Sequence, residues 1–219
     1  MKKTIAFIAV AVAMLATGTA KAQLGINIGY APVTLTTQTT LGNTTTTSTS
    51  EMDGFFAGVN YNYGLSKDLG VSFGLQCRYN TKTSTGSANF VVVSDTDKST
   101  TTQILFDVPV LFNYSLDLGS AKLTAFAGPA FSYVAYGNTH VTTTTTILGS
   151  SSTSETDYAM YGDNSSNERF DITTAFGLQF QYSDFRLFGG YRIGLLDLNS
   201  NDNVKTTTSG LFVGLGYAL

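Results

Sequence analysis

The chain has very little of the chemistry on which most enzymes and metalloproteins depend. Its 219 residues include one cysteine, one histidine, three prolines and no tryptophan, and 12% of the residues are charged. A single cysteine excludes a framework of intramolecular disulfides. One cysteine with one histidine is too few for a zinc site made from these residue types. Twelve basic against fifteen acidic residues leave no basic surplus for nucleic-acid binding.

Long apolar runs are also missing, except at the start of the chain. Residues 1–22 carry Lys2 and Lys3, an apolar stretch over 5–16 and an Ala-Lys-Ala ending, which is the layout of a cleavable secretory signal. The apolar stretch is shorter than the roughly 20 residues that a spanning helix needs. We therefore predict a cleaved signal peptide over residues 1–22 and a mature domain over 23–219. Cleavage removes three lysines and no acidic residue, so the net charge moves from −3 to −6.

The mature chain is rich in Gly, Thr, Ser, Tyr and Phe, a composition that favours strands and turns. The most informative strand is the last, residues 209–219, because alternate side chains of a strand point to opposite faces. One face is mostly glycine and alanine, and the other is large and apolar. The large residues are Leu211, Val213, Leu215, Tyr217 and Leu219. This pattern suits a narrow barrel with lipid outside, and we expect the strand to close that barrel against the first one, 24–33.

Similar alternation recurs along the chain between short turns and long Ser/Thr-rich stretches. The further strand segments are 55–64, 71–80, 102–114, 122–136, 170–182 and 185–195. Short turns at one end and long loops at the other are typical of outer-membrane barrels. We predict an all-β fold, an eight-stranded antiparallel up-and-down transmembrane β-barrel with long external loops. Ten strands, with an extra hairpin inside 137–168, is the alternative.

The Ser/Thr-rich stretches are expected to be solvated loops, because they cannot bury a core. They cover residues 36–50, 81–101 and 137–168. Within the last two, 88–93 and 141–148 could extend the barrel strands outward. In the fifth strand, Phe126 and Val134 fall on the face opposite Phe131, and we interpret this as a bulge near Gly128–Pro129.

Five charged residues fall on the inward faces of the predicted strands. They are Arg78, Asp107, Asp171, Arg186 and Arg192. Arg78, Asp107 and Arg192 lie about eight or nine residues from the nearest short turn, which at ~3.3 Å per residue gives a similar height in the barrel. Because buried charges must be paired or solvated, we predict an internal ionic network that braces and plugs the barrel. A gated ion path is the alternative, although an eight-strand interior is just wide enough for side chains to fill.

Four motifs, in their order and spacing, resemble the outer-membrane β-barrel "porin-family" proteins of Bacteroidota. The motifs are Asp107 to Tyr114, Ala127 to Tyr133, Phe170 to Gly177 and Gly189 to Leu195. The resemblance covers the mature chain and implies a small barrel of the OmpA/OmpX type in a Gram-negative outer membrane. Members of the family mostly lack an assigned activity, so the resemblance implies none.

We predict an integral outer-membrane protein, not an enzyme, with a structural and surface-display role and with adhesion through its Ser/Thr-rich loops. The predicted partners are outer-membrane lipid, the barrel-assembly machinery and host or phage surface ligands. No cofactor, metal or nucleic acid is expected, and the protein is expected to be a monomer. Besides a narrow ion channel, two further hypotheses stay open. An outer-membrane hydrolase or acyltransferase needs a carboxylate or serine beside His140, and a secreted lipocalin-like small-molecule binder needs its apolar faces inward.

Overall fold

Ten antiparallel strands make up the computed structural model, which describes residues 22–89, 93–148, 150–162 and 165–219. The strands are β1 (Ala22–Tyr30), β2 (Val33–Leu41), β3 (Thr44–Gly64), β4 (Leu69–Asn89), β5 (Val93–Asp117), β6 (Ala121–Ile147), β7 (Ser150–Ala159), β8 (Phe170–Tyr182), β9 (Phe185–Gly194) and β10 (Val204–Ala218). In these ranges no helix is long and apolar enough to cross a membrane. The predicted signal peptide lies outside the described residues, apart from Ala22.

Eight strand positions, which we call walls, close into a barrel. β1 and β2 share one wall, since each pairs with β3 on one side and with β10 on the other. β3, β4, β5, β6, β8, β9 and β10 follow around the ring, and β10 closes it against β1. β7 stands outside the ring and pairs with β6. The predicted eight-stranded antiparallel barrel is confirmed, and the count of ten comes from the split first wall and the added β7.

The first wall breaks at Ala31–Pro32, where the alternation predicted a continuous strand over 24–33. Proline has no backbone N–H with which to continue the ladder. The strands on either side of the break, β3 and β10, each have a glycine next to it. A Cβ on Gly54 would collide with the carbonyl oxygen of Ala31, and one on Gly210 would collide with that of Pro32. Glycine therefore permits the close backbone approach at both positions.

Large apolar side chains cover the outside of the ring, while its interior is mostly polar. On the closing strand β10, Phe212 and Ala218 are buried inside. Leu219, directly after the strand, is exposed, and so are the residues of its outer face, which are Leu211, Val213, Leu215 and Tyr217. One apolar layer crosses the lumen, formed by Ala31, Phe56, Leu111, Phe126, Ala175, Phe188 and Phe212. Apolar residues outside and polar residues inside are the arrangement of a transmembrane barrel.

Most of the Ser/Thr-rich stretches form strands, so the prediction of loops there is wrong except over the irregular segment between β7 and β8. The predicted outward extension over 141–148 is correct as far as Ile147, and the one over 88–93 lies partly outside the described residues. β6 runs for 27 residues and β5 for 25, whereas a tilted spanning strand needs about 9–11. Threonine favours strands, and threonine hydroxyls interact across the ladders. The Oγ1 atoms of Thr83 and Thr100 are 3.2 Å apart, for example. Intrinsic propensity and cross-strand pairing therefore order segments that bury no core.

The irregularity of the fifth wall lies at Ala135. The register between β5 and β6 shifts there by one residue, which leaves Ala135 without a partner on β5. At Gly128–Pro129, β6 keeps unbroken pairing with β8. Its ladder with β5 skips Val110 and Leu111 there without a change of register, so the bulge predicted near those residues is misplaced. Phe126 and Val134 belong to the lumen face, where both are buried.

Candidate functional site

A buried ionic network crosses the middle of the lumen. Asp107 of β5 is fully buried and lies between two arginines. Arg78 Nη2 donates to Asp107 Oδ1 at 3.2 Å, and Arg192 Nη1 donates to Oδ2 at 2.9 Å. Arg192 Nη2 also donates to Gln76 Oε1 at 3.0 Å. The network thus ties β4 and β5 to β9 on the far side of the ring.

Strand register explains why these side chains meet. Gln76 and Asp107 are directly opposed on β4 and β5, so both point inward at one height. Arg192 reaches them across the lumen, and its guanidinium carbon lies 5.2 Å from the centre of the Phe212 ring, a cation–π contact. Gln76 also belongs to this network. A search of the sequence for inward charged residues could not find it, because other amide residues share its inward position.

Asp171 and Arg186 occupy separate places in the lumen. Asp171 accepts a hydrogen bond from Thr208 Oγ1 at 2.6 Å, and it lies within electrostatic range of Arg78 and Asp107. Among the described residues, Asp171 forms no ion pair with the network of Arg78, Asp107 and Arg192. Arg186 does not join them, since it lies one residue from the β8–β9 turn and makes no ion pair with any described residue.

Two cavities flank the centre of the lumen. The larger, about 260 Å³, opens at the end of the short turns and is lined by amides, hydroxyls, phenylalanines and charged side chains that include Arg186. The smaller, about 50 Å³, lies on the other side of the network and is lined by Arg78, Gln103 and Asp171 among others. Between them stand the ionic network and the phenylalanine layer, so side chains fill the middle of the barrel.

The segment before β8 folds over the smaller cavity. Gln103 Nε2 donates to Tyr161 Oη at 3.0 Å, and the Arg169 guanidinium lies over the Tyr161 ring at 5.1 Å. Arg169 Nη1 also donates to the Val134 carbonyl at 3.0 Å. This cap was not predicted from the sequence. The sequence signal that could have indicated it is Tyr161 near the end of the stretch 137–168 with Arg169 directly after that stretch.

Beyond the ring, β4 to β7 continue as a four-stranded polar sheet, which we call the outer sheet. It comprises residues 82–89, 94–101, 139–147 and 150–159. His140 and Asp157 lie on neighbouring strands of this sheet, with Nδ1 and Oδ1 2.9 Å apart. Asn138 Nδ2 donates to the same oxygen at 3.1 Å. These hydrogen bonds, that from His140 first, lower the pKa of Asp157.

A hydroxyl lies on the other side of the histidine. Thr142 Oγ1 and His140 Nε2 are 3.4 Å apart, a distance longer than the ~2.6–3.2 Å expected between an activated nucleophile and its base. The His140 and Asp157 side chains are 43% and 66% exposed. The carboxylate that an acyl-transfer site requires is present, but it stands on an open sheet face.

The family comparison decides the class of the protein. Residues 17–200 match the model of the outer membrane protein β-barrel domain. The chain belongs to this family. The protein is thus an outer-membrane β-barrel, with its apolar faces toward lipid and its ionic network inside.

Solved barrels also resemble this outer-membrane domain, at low identity. The attachment invasion locus protein Ail of Yersinia pestis is 17% identical, covers 90% of this chain and 99% of its own, and gives a TM-score of 0.38. Neisserial surface protein A is 13% identical, with 88% and 96% covered and a TM-score of 0.33. The outer membrane protease OmpT of Escherichia coli is 8% identical, with 93% and 99% covered and a TM-score of 0.34. No curated protein matches the chain.

Proposed function

We propose that this outer-membrane barrel is a non-enzymatic platform that displays the outer sheet at the cell surface, and that this sheet adheres to host or phage surface ligands. The observation that carries the proposal is the length of β5 and β6, which exceeds a membrane span more than twofold. The end with short turns faces the periplasm in such barrels. The outer sheet therefore extends from the external side.

The composition of the outer sheet suits contact with polar surfaces. Every residue of β7 is exposed, and its sequence, SSSTSETDYA, offers hydroxyls, carboxylates and one aromatic ring. Hydroxyls both donate and accept hydrogen bonds, so they pair with sugars and peptide groups alike. β7 pairs with β6 on one side, which leaves its other edge unpaired among the described strands.

Excision of the outer hairpin tests this role. Cells that express the full chain are compared with cells in which residues 139–158 are replaced by Asn-Gly, the dipeptide of a tight hairpin turn. We expect the shortened protein to keep its heat-dependent gel shift, because the ring is untouched. We expect it to lose adhesion to epithelial monolayers or to purified surface glycans.

A matched control shortens the β2–β3 hairpin, which lies at the same external end of the barrel. Replacement of residues 40–45 by Asn-Gly trims the β2–β3 tip and leaves the outer sheet intact. This variant should adhere like the full chain. Equal adhesion of the 139–158 variant and the full chain would contradict the adhesive role, while the gel shift reports separately on the barrel.

A hydrolase or acyltransferase is the second candidate, because Asp157 stands beside His140 as that hypothesis requires. Its test is turnover of phospholipid vesicles or aryl esters by the purified protein. We expect no turnover above the buffer rate, since the pair is exposed and its hydroxyl partner is distant. Turnover that falls in both His140→Gln and Asp157→Asn would establish this candidate instead.

A narrow ion channel and a lipocalin-like binder fit the geometry less well. The channel must displace the network of Arg78, Asp107 and Arg192, together with the phenylalanine layer. The binder needs apolar faces toward its interior, whereas the large apolar residues of β10 face outward. We further propose that the protein is a monomer inserted by the barrel-assembly machinery and affiliated with the Bacteroidota proteins it resembles. The ring supports the monomer, because it closes without a second copy.

A further inference from the structure

The larger lumen cavity has an excess of positive charge. Among the described residues, Lys67, Lys122 and Arg186 line it against a single carboxylate, Asp68. Arg192 at its inner end is already paired with Asp107. The chain as a whole has a net charge of −3. A cationic cavity with low-dielectric walls in an acidic protein concentrates anions.

Arg186 is the buried and unpaired member of this group of positive charges. It is 3% exposed, and its Nε and Nη2 have no hydrogen-bond partner among the described residues. Asp184 in the adjacent turn acts on it only through its field, because no described carboxylate lies within 4.0 Å. A buried charge is costly unless it is paired. The guanidinium therefore lacks the counter-ion that its position demands.

The space around Arg186 is shaped by small and amide residues. A Cβ on Gly25 would lie 2.9 Å from Arg186 Nη1 and 2.9 Å from Asn60 Oδ1, so the glycine leaves room for both groups. Asn27 Nδ2 donates to Asn60 Oδ1 at 3.4 Å, and the buried Asn27 Oδ1 has no described partner. The cavity of about 260 Å³ is several times the ~30 Å³ share of one water molecule. An oxyanion with bound water fits this volume.

We propose that this cavity binds a small soluble oxyanion through Arg186, with Lys67 and Lys122 attracting it at the mouth. The guanidinium is a planar fork of donors that matches the oxygens of phosphate or carboxylate. The lining amides supply further donors to an anion and to its bound water. Because the cavity opens at the short turns, the anion enters from the periplasm. This site is independent of the adhesive role of the outer sheet.

The test is a titration with inorganic phosphate at constant ionic strength. The protein is purified from the outer membrane in zwitterionic detergent, and the amide NMR signals of Gly25 and Gly216 report on the cavity. We expect saturable shifts in the natural chain. Arg186→Gln should weaken binding at least about tenfold, because it removes the charged donor, and hydrogen bonds to charged groups are the stronger ones. Lys98→Gln removes the same charge from the outer sheet and should leave binding unchanged.

A second variant keeps the test decisive if Arg186→Gln does not fold, which the heat-dependent gel shift reveals. Asn60→Asp places a carboxylate beside the guanidinium, supplies an internal counter-ion and should suppress phosphate binding. The proposal is overturned if the natural chain gives no saturable shift. It is equally overturned if folded Arg186→Gln or Asn60→Asp binds phosphate as tightly as the natural chain.

Discussion

The ring and the outer sheet share continuous strands, yet they are ordered by different chemistry. Within the ring, β5 turns Asp107 into the lumen and Phe106 toward lipid. Further along the same strands, threonine and serine occupy both faces. The backbone pairing is continuous from one region to the other. Strand formation therefore does not require a buried face once neighbouring strands already hold the register.

The ring and the outer sheet differ in what fixes the register of their strands. A slip of one residue in the ring would turn Asp107 toward lipid and Phe106 into the lumen, which is costly on both sides. A slip in the outer sheet would exchange one threonine for another, so side chains there specify register weakly. We infer that the outer sheet inherits its register from the ring. Substitutions in the ring should consequently cost far more than equivalent ones outside.

The largest effect is expected for Asp107→Asn. The substitution leaves Arg78 and Arg192 buried without their shared carboxylate, and breaking a buried ion pair costs about 3–5 kcal/mol. Urea unfolding in lipid vesicles, followed by the gel shift, should show a loss of that size. The control is Asp97→Asn in the outer sheet, which should change the unfolding free energy by no more than ~0.5 kcal/mol. Equal losses in the two variants would refute the comparison.

The next effect is expected at the lipid surface. Leu178 lies on the outer face of β8, well inside the strand and exposed. Arginine near the bilayer midplane of a barrel costs about 2–4 kcal/mol, so Leu178→Arg should destabilise the folded protein by this amount. Thr144→Arg makes an equivalent change in the outer sheet, where both faces see water, and should be nearly neutral. A neutral Leu178→Arg would mean that this face does not contact lipid.

The alternation of apolar and polar residues was enough to predict the strands of the ring, because each side chain there faces either apolar lipid or the mostly polar lumen. The inward positions of Arg78, Asp107 and Arg192 follow from the same parity. The outer sheet could not be predicted this way, since Thr/Ser tracts have no contrast between faces. The break at Pro32 and the shift at Ala135 were missed because they depend on how neighbouring walls approach each other, and one strand read alone does not contain that geometry.

The hydrogen-bond and ion-pair partners of the lumen residues were harder to predict than the inward positions of the charged residues. Arg186 has the same inward parity as Arg192, and only its height, close to a short turn, separates it from the network. Thr208 and Gln76 take part through single hydrogen bonds, and their residue types are common throughout the chain. The pairing of Asp157 with His140 depends on the register of β6 with β7, a hairpin in a stretch whose composition predicted a loop.

The smallest effect is expected for the pH dependence of the outer sheet. Hydrogen bonds from His140 and Asn138 lower the pKa of Asp157 below the ordinary 3.8. A carboxylate that is more acidic in the folded state stabilises the β6–β7 ladder above pH 3.8, and this contribution disappears as the pH falls through the lowered pKa. The effect should be small, because both side chains are exposed and screened by solvent.

The carboxyl ¹³C signal of Asp157, followed against pH, measures this coupling directly. Its midpoint should lie below 3.8 in the natural chain and should rise toward that value in His140→Ala, which removes the first of the two donors. The amide signals of the ring should not change between the two proteins, because the pair belongs to the outer sheet alone. An unchanged midpoint in His140→Ala would show that the hydrogen bond does not persist in solution. Shifted ring signals would show that the two regions are coupled more closely than their chemistry implies.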